Sequence, residues 1–248
     1  MFKKLLVLPA LFLSLFVFAL HAKEVKVASL DWPPYTGEGL DKMGPVMELV
    51  AEAFKRSGHT VTASIVPWNR ATTETEAGNF DSYGPEYPSS DVESKYDVSD
   101  KFPCGPLVLL KRKGAKINYT GKVSELKQYS LGVVTGYVNT KEIDDPASGL
   151  KKEGAETDEM NMKKLISERI DLIVIDPYVA QYLTNKNPAQ LKDKWEQVEP
   201  ILEKKELYLA FSKKVTDRVE KIKAFNDGLK ALQAEGYIEK YLKKVSGK

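Results

Sequence analysis

Cysteine is almost missing from this chain. Its 248 residues hold one, Cys104, so no internal disulfide can form. Phe102, Pro103, Gly105 and Pro106 surround it without an adjoining cation, which points to a small buried hydrophobe rather than a reactive thiol. Histidine is nearly as scarce: of two, only His59 lies beyond the first 22 residues. A Ser–His–Asp or Cys–His centre would have to use it, and Ser57-Gly58-His59 reads as a turn. HExxH, CxxC, the phosphate-binding P-loop and GxGxxG are all absent, so no cofactor and no metal is implied. A carboxylate-only mechanism with Glu86 and Asp176 is the one enzymatic chemistry left open.

Charge of one sign is lacking too. Residues 1–22 read as a cleaved export signal: Lys3 and Lys4 lead, Leu5 to Leu20 is apolar around Pro9, and small Ala19 and Ala22 bracket a cleavage point. The apolar run falls short of the ~20 residues of a comfortable span, although an uncleaved anchor stays open near the lower limit. Cleavage takes two lysines from the 37 Lys+Arg and leaves them equal to the 35 Asp+Glu. Nucleic acid and anionic lipid are therefore not indicated as partners. No Cys stands at the cleavage point, which argues against a lipid anchor.

What is present is a repeated strand–helix order. Val25 to Leu30 alternates as a first strand and runs into Asp31-Trp32-Pro33-Pro34-Tyr35, where the prolines forbid helix or central strand. A helix with Pro45 in its first turn runs to about Arg56, and Thr60 to Val66 is a second strand. Asn69 reads as the N-cap of a helix over Arg70 to Ala77, and Phe80 to Tyr83 as a third strand ending in a Gly84-Pro85 loop. From Pro106 the order repeats: strands at Leu107–Leu110, Tyr129–Val134 and Ile170–Ile175, helices at Val123–Leu126, Met160–Glu168 and Tyr178–Leu183. A helix also follows Thr135-Gly136-Tyr137, and Asn185 to Lys194 reads as loop. Leu207 to Phe211 is a last strand before two helices, about Thr216–Leu232 and Ala234–Lys244. The alternation argues for an α/β protein.

The segment GNFDSYGPEYPSSDVESKYDVSDKFPCGPLVLLKRKG, with the closing LYLAFSKK and EGYIEKYLKK, resembles the extracytoplasmic solute-binding proteins of family 3, the polar amino-acid binders of ABC importers. Pro67-Trp68-Asn69-Arg70-Ala71 resembles the PWxRA variant of a less characterised branch. The resemblance implies a periplasmic binding protein type II fold of two α/β lobes joined by a two-strand hinge. Lobe one would hold residues 23–104 and 206–248, and lobe two the inserted 105–205. One departure stands out. The family's Thr/Ser-x-x-Arg supplies a guanidinium for a ligand carboxylate, and here the run is Ser89-Ser90-Asp91-Val92.

In open α/β sheets the ligand crevice lies off the carboxyl ends of the strands. Trp32 and Tyr35 there suit stacking or cation–π contact, or one of them plugs the lobe-one core. In Gly84-Pro85-Glu86-Tyr87, Glu86 would repel a ligand carboxylate and attract an amine, unless it is a solvated rim residue. Thr135-Gly136-Tyr137 resembles the family's Gly-Thr/Ser loop, whose N–H groups at a helix start take an anion; a plain turn is the competing account. Asp176 matches the family's ammonium-binding aspartate and equally suits the N-cap of the helix that begins at Pro177. Arg70 is either a stand-in for the guanidinium missing at Val92 or a surface ion pair, and Lys95 is a second stand-in without a bidentate fork.

The expectation is a monomeric periplasmic protein that closes by hinge motion on a small polar, amine-bearing molecule and delivers it to an ABC permease. The rivals are a dehydratase of the cyclohexadienyl type on the same fold and a ligand-binding subunit for a membrane sensor.

Overall fold

Val25 and Val27 alternate with exposed Glu24 and Lys26, and that pattern builds the first strand of a sheet. The computed structural model describes residues 23–247; the predicted export signal at 1–22 lies outside the described residues. No helix among them is long and apolar enough to cross a membrane.

The first sheet opens with β1 (Glu24–Ser29), α1 (Pro45–Arg56), β2 (Thr60–Ile65), α2 (Trp68–Ala77) and β3 (Ser82–Glu86). Next come α3 (Ser90–Lys95), β4 (Tyr96–Val98) and β5 (Phe102–Pro103). The chain then enters a second sheet with β6 (Leu107–Arg112), β7 (Ser130–Val134), α4 (Lys141–Asp144), β8 (Lys151–Ala155) and α5 (Asp158–Ile166). It continues through β9 (Leu172–Ile175), α6 (Pro177–Lys186), α7 (Pro188–Leu191) and β10 (Trp195–Glu203). Finally β11 (Glu206–Ser212) returns to the first sheet, and α8 (Arg218–Ala234) and α9 (Tyr237–Ser246) close the chain.

The strand orders are β2-β1-β3-β11-β4, with β5 beside β11, and β10-β6-β9-β7-β8. β1 runs parallel to β2 and β3, and β7 parallel to β8 and β9. β11, β6 and β10 pair antiparallel to their neighbours. The central strand β9, LIVI, is wholly buried because helices or strands cover both faces. The chain passes between the sheets twice, side by side: Glu206 pairs with Pro103 and Glu203 with Leu107.

Under the first sheet α8 crosses α1 so closely that a Cβ at Gly228 would meet the Ala53 carbonyl oxygen at 1.9 Å. Phe54 and Phe225 pack across that crossing at 5.6 Å. Lys221 of α8 reaches Asp81 at 2.7 Å, and Asp81 also accepts the Lys26 N–H at 2.7 Å. That interior ion pair ties helix to sheet.

Several local expectations need correction. α2 begins at Trp68 behind an N-capping Pro67, so Asn69 lies inside the helix and its carbonyl accepts from Thr72 and Thr73. The third strand runs through Gly84 and Pro85 to Glu86, because β11 pairs along it from Phe211 to Tyr208. Gly84 is required there: a Cβ would meet the Leu209 side chain at 2.7 Å. Pro188 starts the short α7 inside the span read as loop. Short α3, capped by the Ser89 side chain at 3.2 Å, and strands β8 and β10 were not foreseen.

Candidate functional site

Four of the strand ends singled out in the sequence meet where the two sheets face each other. From β1 come Trp32 and Tyr35. The loop holding them is cinched by Thr36 N–H to Trp32 carbonyl at 3.2 Å and Thr36 Oγ1 to Leu30 carbonyl at 2.7 Å. β3 delivers Glu86 and then Tyr87, β7 delivers Tyr137, and β9 delivers Asp176.

Trp32, Trp68, Glu86, Tyr87 and Tyr137 line a cavity of about 20 Å³ between the sheets. That is room for roughly one water molecule. The rings stand on edge to one another: Trp32 meets Tyr87 at 5.9 Å and 89°, and Tyr137 at 6.5 Å and 83°. Trp68 meets Tyr137 at 6.1 Å and 77° and donates its indole N–H to the Gly136 carbonyl at 3.2 Å.

Tyr35 lies behind this layer, stacked on Trp32 at 4.4 Å. Its hydroxyl donates to Asp176 Oδ2 at 2.6 Å and accepts the Gly105 N–H at 2.7 Å. The other Asp176 oxygen accepts from the Tyr178 and Val179 N–H groups at 2.7 and 3.4 Å, so this one carboxylate caps α6 and also binds across to the first sheet's loop. Burial pushes its pKa up to about 6 against those hydrogen bonds. Glu86 is buried rather than solvated on a rim. Desolvation pushes it up to about 8, although the Tyr87 N–H donates to it at 2.7 Å.

The remaining sequence candidates sit elsewhere. Gly84 packs on β11. Thr135 and Gly136 are exposed, and the Thr135 N–H is spent on the Ala155 carbonyl at 2.8 Å. The helix read after them does not start there: α4 has four residues and begins at Lys141, so no helix N-terminus stands behind that loop. Arg70 is on the exposed side of α2 and pairs with Glu74 at 2.5 Å, one helical turn on. Lys95 is exposed at the end of α3. Among the described residues, no arginine lines the cavity. Cys104 is half-buried against the crossing, where burial raises its thiol pKa.

Two groups were not legible in the sequence. Asp158 follows β8, a fifth carboxyl end, and is buried close to the Trp32 indole, which acts to lower its pKa. Desolvation pushes Asp158 up to about 7, with Asp176 acting in the same direction. Lys205, between β10 and β11, is buried with its ammonium 2.6 Å from the Asn139 carbonyl and 2.9 Å from Glu203. It also sits 5.4 Å from the Tyr87 ring centroid. The thread to Asp158 was the Thr157 cap, at 3.2 Å from the Met160 N–H, which marks a helix start opposite the other strand ends.

Two α/β lobes, two adjacent crossings and a cleft built from strand ends define a type II periplasmic binding protein fold. No family model matches the chain. It is 25% identical over 220 residues to the L-cystine-binding protein TcyA of Bacillus subtilis (strain 168), covering 86% of this chain and 76% of that protein. Among solved structures, an ancestral arginine-binding protein bound to glutamine superposes with a TM-score of 0.73 at 20% identity, covering 91% of this chain and 98% of that one. A putative L-cystine ABC transporter protein from Listeria monocytogenes gives 0.73 at 17% identity over 91% and 97% of the two chains. The solved structures share this fold, and the L-cystine-binding protein TcyA is similar to this chain in sequence.

Proposed function

We propose that the protein is a periplasmic solute-binding protein that closes its two lobes on a small amine-bearing molecule and passes it to an ABC importer. The relatives named above for L-cystine and for amino-acid binding support the transport role, and L-cystine itself carries two amines. One observation carries the ligand class: Glu86 and Asp158 are buried against the same aromatic cleft, and each is held far above its ordinary pKa by desolvation. Carboxyls kept this way ionise when a cation arrives, so the site favours positive charge. A guanidinium that would clamp a ligand carboxylate is replaced by Val92 in the family's position, and Arg70 is paired on the surface.

A cavity of about 20 Å³ does not admit an amino acid, so entry requires the lobes, 23–104 with 206–248 against 105–205, to swing about the crossings. That swing breaks the Trp68–Gly136 and Tyr35–Asp176 hydrogen bonds and re-forms them on closure.

Isothermal titration against a panel of amines, amino acids, dicarboxylates and sugars, each in two buffers of different ionisation enthalpy, tests this. Binding of an amine-bearing compound should release protons near pH 7, because Glu86 and Asp158 give theirs up. Binding confined to dicarboxylates or neutral sugars would refute the reading.

A further inference from the structure

The geometry points to an N-alkylated ammonium group, rather than a primary amine, as the cation this cleft takes; the inference rests on the amine reading above and narrows it. A primary ammonium brings three N–H donors, and each needs an acceptor once water is excluded. Most oxygens around the cleft already have donors; the buried Tyr87 hydroxyl has none among the described residues and offers a place to one N–H of the three. Glu86 accepts from the Tyr87 N–H at 2.7 Å and from the Tyr83 hydroxyl at 3.4 Å. Asp158 lies close to the Trp32 indole, and Asp176 accepts from Tyr35 and two amides. The Gly136 carbonyl is taken by Trp68, and that of Asn139 by Lys205.

What the cleft offers in excess is aromatic surface, beside carboxyls that ionise when a cation arrives. Four rings line the cavity, and their edge-on pairs keep them from forming a parallel slot for a flat ring. Ring faces attract a cation through their quadrupole without using an N–H. Tyr87 already serves one in this way, the Lys205 ammonium at 5.4 Å. Leu30, Pro85 and Leu207 complete the lining with apolar surface that suits N-methyl groups and gives nothing to an N–H.

The experiment is a calorimetric titration of the full chain with ethanolamine, N,N-dimethylethanolamine, choline and the uncharged isostere 3,3-dimethylbutan-1-ol. Affinity should rise about tenfold or more from ethanolamine to choline, and the neutral isostere should bind at least about tenfold more weakly than choline. Trp68→Ala should cost choline about tenfold while leaving ethanolamine within about threefold, and Trp68→Phe should restore most of the loss. Trp68 is only half-buried, and melting curves of both variants without ligand establish that they fold. Ethanolamine binding as tightly as choline overturns the N-alkyl preference and leaves the amine reading standing. The neutral isostere matching choline overturns both, since charge is then not read. Failure of all four probes to bind, beside an amino acid that does, also overturns the inference alone.

Discussion

The two ends of β3 each carry an acid, and the fold treats them in opposite ways. At the amino end Asp81 is met from inside the molecule by the Lys221 ammonium at 2.7 Å and the Lys26 N–H at 2.7 Å. At the carboxyl end Glu86 is buried more deeply and has no ion pair among the described residues; Lys205 acts on it only through space and is held by Asn139 and Glu203. The contrast separates two uses of a buried carboxylate. One is neutralised during folding and contributes to holding a helix on a sheet. The other keeps an uncompensated site that a cation from outside can complete, at a cost in stability.

The largest expected effect falls on the first end. Asp81→Asn strands the Lys221 charge in the interior and should lower stability by about 3 kcal/mol in chemical denaturation, with ligand preference unchanged. A variant as stable as the parent would show that Asp217, at 3.0 Å from Lys221, suffices alone.

The second end is probed by pH. Glu86 titrates at about 8 in the fold against 4.5 as the ordinary value, so its contribution to stability is fully present below about pH 4.5 and is lost as pH rises toward 8. Asp158 adds a loss in the same direction up to about 7. Unfolding free energy should therefore fall by a few kcal/mol from pH 5 to 8, and Glu86→Gln should remove a large part of that slope. An identical slope in the variant would mean that Glu86 is not the group responsible.

Tyr35→Phe extends the comparison to Asp176, an acid satisfied across the lobes. Losing the hydroxyl leaves Gly105 N–H and Asp176 Oδ2 each without a partner and should cost about 1–2 kcal/mol of stability, read in the same denaturation assay. Smallest is Arg70→Ala, which should stay within ~0.5 kcal/mol and leave binding untouched, as fits an exposed pair one helical turn apart. A large loss of affinity would return Arg70 to the cleft.

Strands with buried faces were legible in the sequence because their patterns are simple: VKVASL alternates, and IDLIVI is continuously apolar. β8 was not, since KKEGA leaves four of five residues exposed and is held by pairing with β7 alone. With β8 went Asp158, which reads as an ordinary first-turn acid after a Thr cap until the topology sets it close to Trp32. β10 hides behind Pro200 and a register shift between Val198 and Glu203. Lys205 lies in the run EKKEL, where charge reads as solvated surface, and only the second crossing carries it inside. Trp32, Glu86, Tyr87 and Tyr137 could be found by looking at strand ends, because the crevice rule depends on topology and not on a motif. Side-chain direction did not follow from that rule, so Gly84 and Thr135 were grouped with them although they face neighbouring strands.

The Trp68–Gly136 hydrogen bond joins the lobes through an indole, and this makes the molecule its own optical instrument. Of three tryptophans, Trp195 is fixed within the second lobe by Thr184 at 2.9 Å and gives a constant background. Trp68 crosses the gap, so each separation of the lobes moves its ring from an aromatic wall into water. Emission should shift to the red on opening and back on closure, and the rates of lobe motion become measurable by stopped flow without any label.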